Sequence, residues 1–118
     1  MSLQSHTMTL SGSAVQSQDA TILLTPNQTS QTGSAFFSIR LTPDTCCVFE
    51  IDFTITPGSD QDQGADGMAL VCLYNKTISD GGAGQTKQNL VGDGGSGLGY
   101  EGLGGPDDWA VEIDTYQT

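Results

Sequence analysis

From Phe49 onward, apolar and polar residues alternate: Phe49, Ile51, Phe53 and Ile55 fall on one face of an extended chain, and Glu50, Asp52, Thr54 and Thr56 on the other. A period of two is the mark of a strand with one dry and one wet face, so residues 47–56 are predicted to form a strand of an antiparallel sheet. Gly33 to Leu41 carries the same period, with Phe37, Ile39 and Leu41 opposite Phe36, Ser38 and Arg40. Thr7 to Ala14 alternates weakly through Met8 and Leu10 and reads as a short edge strand. Ala20 to Thr25 is a brief apolar run closed by Pro26-Asn27, a turn pair. From Met68 to Tyr74 both faces are apolar, which predicts a central strand buried on both sides. The last strand, Trp109 to Tyr116, sets Trp109, Val111, Ile113 and Thr115 against Ala110, Glu112, Asp114 and Tyr116. No helical period and no 20–50-residue repeat occurs, so the pattern predicts an all-β sandwich in one small domain.

On the last strand Glu112 and Asp114 project side by side, roughly 6–7 Å apart at a rise of ~3.3 Å per residue. Two carboxylates that close repel unless a proton or cation sits between them. A hard cation such as Ca²⁺ or Mn²⁺ would suit oxygen ligands; a solvated face of an edge strand would also explain the pair, and the pattern alone leaves both open.

Residues 79–108 form a glycine-rich loop region, with 11 glycines in the 25 residues from Gly81 to Gly105. Gly92-Asp93-Gly94-Gly95-Ser96-Gly97 matches the spacing G-x-G-x-x-G, but a dinucleotide site needs a helix opening at the motif. The following Leu98-Gly99-Tyr100-Glu101-Gly102-Leu103-Gly104-Gly105-Pro106 could not form one. No nonapeptide period is sustained either, so a glycine-rich Ca²⁺ repeat is set aside. The remaining physical use is close backbone approach to a ligand, since a missing Cβ exposes N–H donors.

Charge narrows the partners. Fourteen acidic residues face three basic ones, a formal net charge of −11. That balance argues against nucleic acid and anionic membrane surfaces. No apolar run approaches the ~18–20 residues of a membrane span, so membrane insertion is not expected. Residues 1–6 lack the features of a signal peptide. Cys46 and Cys47 are adjacent and ill placed to pair with each other; one could bond Cys72, or all three could be thiols.

Three stretches occur in order: Gly64-Ala65-Asp66-Gly67-Met68-Ala69-Leu70-Val71, Gly95-Ser96-Gly97-Leu98-Gly99-Tyr100, and Ala110-Val111-Glu112-Ile113-Asp114-Thr115-Tyr116. Together they resemble the legume-lectin-like (L-type) family. Gly33-Ser34-Ala35-Phe36 and Phe49-Glu50-Ile51-Asp52-Phe53 resemble that family's early strands. The resemblance covers nearly all of residues 1–118 but corresponds to about the first half of such a domain. It implies a concanavalin A-like antiparallel jelly-roll sandwich, here incomplete. It implies that Asp66, after a cis peptide, accepts hydrogen bonds from sugar hydroxyls, and that the turn at Ser96 and Gly97 donates a backbone N–H to the sugar. It implies further that Glu112 binds a transition metal such as Mn²⁺ and that Asp114 bridges it to Ca²⁺. An extracellular or secretory location follows from the same resemblance.

The chain also departs from the family pattern. Thr118 stands where the family has an asparagine ligand to Ca²⁺, and the single histidine, His6, lies far from the acidic strand. Two carboxylates cannot supply the 6–8 oxygens that Ca²⁺ prefers, so the metal site is expected to be unfinished within 1–118. The function expected is glycan binding without catalysis. A structural or adhesive β-domain is the alternative. A concanavalin-like glycosidase is the weaker one, because Tyr116 replaces the third acid of E-x-D-x-E.

Overall fold

The computed structural model describes residues 8–19, 21–39, 44, 46–57, 64–74 and 89–115. Its described elements are strands and one short turn of 3-10 helix: β1 (Met8–Gly12), β2 (Val15–Gln16), β3 (Ile22–Leu23), β4 (Gly33–Phe37), β5 (Gly67–Cys72), the 3-10 turn (Gly95–Gly97) and β6 (Trp109–Asp114). The protein is all-β. The strands form three antiparallel pairs, β1 with β4, β2 with β3, and β5 with β6.

In the first pair, Met8 faces Phe37 and Gly12 faces Gly33, so the weak alternation of β1 and the stronger one of β4 meet in a full five-residue register. β2 and β3 close a small hairpin, with Val15 opposite Leu23. The Asp19 carboxylate accepts from the Ser17 hydroxyl and from the Thr21 amide, which shapes the bend between the two strands. These bonds hold the Asp19 carboxyl below its usual value of 3.8.

In the third pair, Met68 faces Ile113, Leu70 faces Val111 and Cys72 faces Trp109 on one side of the ribbon. Gly67 faces Asp114, Ala69 faces Glu112 and Val71 faces Ala110 on the other. Gly67 is required by this closeness: its φ is +142°, and a methyl group there would lie 2.1 Å from the Ile113 carbonyl oxygen.

Two expectations are corrected. Residues 47–56 lie in no strand: Phe49, Ile51 and Phe53 are 40%, 47% and 50% exposed. Alternation assigns faces but supplies no neighbour, and no described segment offers this stretch a ladder of hydrogen bonds. The segment from Met68 is half-buried rather than sealed on both sides, because among the described residues its ladder is with β6 alone. The two-residue β2 was not anticipated, being too short for a period to register. Arg40 and Leu41, Thr7, Ala20, and Gly81 to Gln88 of the glycine-rich region lie outside the described residues. All three cysteines are free thiols, Cys46 and Cys47 exposed and Cys72 half-buried. No described helix is long and apolar enough to cross a membrane.

The best-buried centre is small and lies against the β1–β4 pair. Leu90 is 3% exposed, with Ala14, Thr9 and Ser11 also buried. The Leu90 backbone is caught by two hydroxyls, its N–H donating to Ser11 Oγ at 3.0 Å and its carbonyl accepting from Ser34 Oγ. The glycine-rich segment is thus anchored to the β1–β4 pair at Leu90.

Candidate functional site

Asp66 immediately precedes β5, and the Ala65–Asp66 peptide bond is cis. The Asp66 carbonyl accepts from Thr115 N–H at 2.9 Å, and the Thr115 hydroxyl donates to the Gly64 carbonyl. The backbone on both sides of Asp66 is therefore fastened to the end of β6, and the half-buried carboxylate is carried on a fixed support.

The glycine-rich segment folds over this end of the ribbon through its own backbone. Gly92 N–H donates to Gly99 O at 2.7 Å, Gly99 N–H to Asp93 O at 2.8 Å, and Asp93 N–H to Glu101 O at 3.0 Å. The 3-10 turn sits at the tip, with Leu98 in the left-handed region at φ 48° satisfying the Gly95 carbonyl. The tip faces Asp66: a Cβ on Gly95 would stand 3.9 Å from Asp66 Oδ2.

The expected donors are placed unequally. Gly97 is buried, and its N–H donates to the Gly94 carbonyl at 3.1 Å within the turn. Ser96 is exposed at the tip, as is Gly95. The first N–H groups of such a turn have no acceptor within it, so those of Gly95 and Ser96 are not used by the turn itself. Gly95, beside the carboxylate, was missed by sequence reasoning; its place in a run of small residues gave no way to choose among them.

Glu112 and Asp114 share one face of β6, as alternation predicts. Both are exposed. Glu112 Oε1 accepts a hydrogen bond from the Tyr100 hydroxyl, which crosses from the glycine-rich segment to the strand. That bond, aided by the nearby carboxylates, lifts the Tyr100 hydroxyl above its usual value of 10.0. Sequence reasoning missed this contact, although a lone aromatic hydroxyl within a glycine-rich run was a usable signal.

No three His, Cys, Asp or Glu side chains among the described residues gather closely enough to hold a metal ion. Within the described residues, two strand carboxylates, one of them bonded to a tyrosine, are all that stands where the resemblance implies a two-metal centre, short of the 6–8 oxygens Ca²⁺ prefers. At the other end of the segment, the Asp108 carboxylate accepts from Tyr74 N–H at 2.6 Å and from Gly105 N–H at 2.7 Å. Between these anchors lies a hollow of about 480 Å³ bordered by Tyr100, Glu101, Trp109 and Glu112, with Asp66 outside its lining.

Comparison of the chain with protein-family models, curated proteins and solved structures gives no match.

Proposed function

We propose that this chain is a carbohydrate-binding, lectin-like module, part of a concanavalin-like jelly-roll sandwich, that holds a sugar between Asp66 and the tip of the glycine-rich turn. The observation that carries the reading is the juxtaposition of the Asp66 carboxylate with Gly95, at the tip of the turn that also holds the exposed Ser96. A carboxylate can accept from two vicinal hydroxyls at once, and each charge-assisted bond is stronger than a neutral one. An N–H beside it supplies the complementary donor to a sugar oxygen. An acceptor set beside a donor is the pairing that recognition of a sugar uses.

The test is a glycan array probed with the wild-type chain and with Asp66→Ala. The expected result is retention of at least one glycan class by wild type and loss by the variant, with the β-sheet circular dichroism spectrum unchanged. Equal retention by both would remove Asp66 from the site.

A structural or adhesive β-domain without sugar binding is the second reading. It is favoured by the half-exposed Phe49, Ile51 and Phe53, an apolar strip suited to burial against another surface. On that reading neither protein is retained by any glycan.

A further inference from the structure

We infer that the Tyr100–Glu112 hydrogen bond is the latch that sets the glycine-rich turn against Asp66, and that Glu112 serves as a hydrogen-bond acceptor for this loop rather than as a metal ligand. The placement of the donor tip rests on the proposed sugar site; the latch itself does not.

The glycine-rich segment is pinned at Leu90 by Ser11 and Ser34, and near its end by Asp108, which holds Gly105 and Tyr74. Between those pins the backbone closes on itself, with Asp93 bridged to Glu101 and both Tyr100 and Glu101 amides donating to the Gly97 carbonyl. These bonds make residues 92–101 one unit but do not fix that unit against β6. Glycine contributes no side chain to do so, and its backbone is the freest of any residue.

Tyr100 supplies the missing tie. It sits inside the unit, and its hydroxyl reaches Glu112 in the middle of β6. Glu112 lies opposite Ala69 of β5, two positions from the Asp114–Gly67 pair that adjoins Asp66. A rigid unit held at Tyr100 therefore has its tip, Gly95, fixed beside the Asp66 carboxylate. With Oε1 of Glu112 accepting from the tyrosine, only Oε2 is left for a metal ion, and no group of three ligand-bearing side chains gathers there among the described residues.

Backbone amide hydrogen exchange across residues 92–101 tests this on the full chain. Removing the hydroxyl in Tyr100→Phe is expected to speed exchange there about fivefold or more, the scale of one lost hydrogen bond. Exchange in β1 and β4 should be unchanged. Glu112→Ala should act like Tyr100→Phe, while Glu112→Gln, which keeps an acceptor oxygen, should retain most of the protection. Addition of Ca²⁺ and Mn²⁺, or of a chelator, should leave the wild-type rates as they are. Unchanged exchange in Tyr100→Phe would overturn the latch, and so would metal binding that slows the same amides. The readout needs no sugar, so a failed glycan array leaves the latch standing, and a failed latch leaves Asp66 to be judged separately. If glycans do bind, Tyr100→Phe is expected to weaken them about fivefold while Asp66→Ala abolishes binding. Unweakened binding by Tyr100→Phe would sever the latch from the site.

Discussion

Gly67→Ala is the sharpest perturbation of the β5–β6 ribbon. The added methyl would lie 2.1 Å from the Ile113 carbonyl oxygen and 3.1 Å from Asp114 Cα, both backbone atoms that cannot swing aside. Relief demands that the strands part by about 1 Å at the end that carries Asp66, a conflict comparable to overpacking a core at ~1–3 kcal/mol. The φ of +142° is a conformation that alanine rarely adopts, adding roughly 1–3 kcal/mol. The total, about 2–6 kcal/mol, is a large part of the ~5–15 kcal/mol that holds a typical domain together. Gly102→Ala isolates the conformational part, since φ there is +86° and nothing lies within 4 Å of the new methyl. It should cost roughly 1–2 kcal/mol. Trp109, the single tryptophan, stands at the far end of β6 opposite Cys72 and reports ribbon unfolding by its fluorescence. In urea the expected order of midpoints is wild type, then Gly102→Ala, then Gly67→Ala lowest or already unfolded in water. Equal midpoints for the two variants would refute the close approach of β6 to Gly67.

Other outcomes follow from the same geometry. Ser11→Ala deprives the buried Leu90 N–H of its acceptor and should lower stability by about 1–3 kcal/mol, read by urea titration. Ile51→Thr, on the half-exposed segment, should shift stability by less than about 1 kcal/mol; a loss near 3 kcal/mol would mean that the segment is packed as a strand. The Asp19 carboxyl should titrate below 3.8 by NMR, because Ser17 and Thr21 hydrogen-bond its charged form. A depressed folded value means that its contribution to stability is present above about pH 3.8 and lost as pH falls through the folded value. Asp19→Asn should therefore remove that small acid dependence, measured as thermal stability against pH.

The strands were legible where alternation and a partner coincided. Gly33–Phe37 and Trp109–Asp114 show a period of two, and each finds a ladder, with Met8–Gly12 and Gly67–Cys72 respectively. Phe49 to Ile55 shows the cleanest period and finds none, because a sequence states which residues share a face and not which segment will bond to its edge. At the candidate site, Asp66 and the glycine-rich turn could be picked out as chemistry, and Glu112 and Asp114 as a pair. What could not be read was distance across the fold. Gly95 comes to Asp66, while the 3-10 turn uses the Gly97 N–H internally. Tyr100 reaches Glu112 because the segment doubles back between Gly92 and Glu101, a path that no local period encodes.

The most direct test of the proposed sugar site replaces the Asp66 carboxylate by its isosteric amide. Asp66→Asn keeps the shape of the side chain but removes the charge and one of its two acceptors. Titrating wild type and Asp66→Asn with a glycan taken from the array, by calorimetry, compares the two affinities directly. Loss of one charge-assisted hydrogen bond, and of the charge behind the other, predicts weakening of at least about tenfold. Affinity within about threefold of wild type, roughly the scale of half of one ordinary hydrogen bond, would contradict a site built on Asp66.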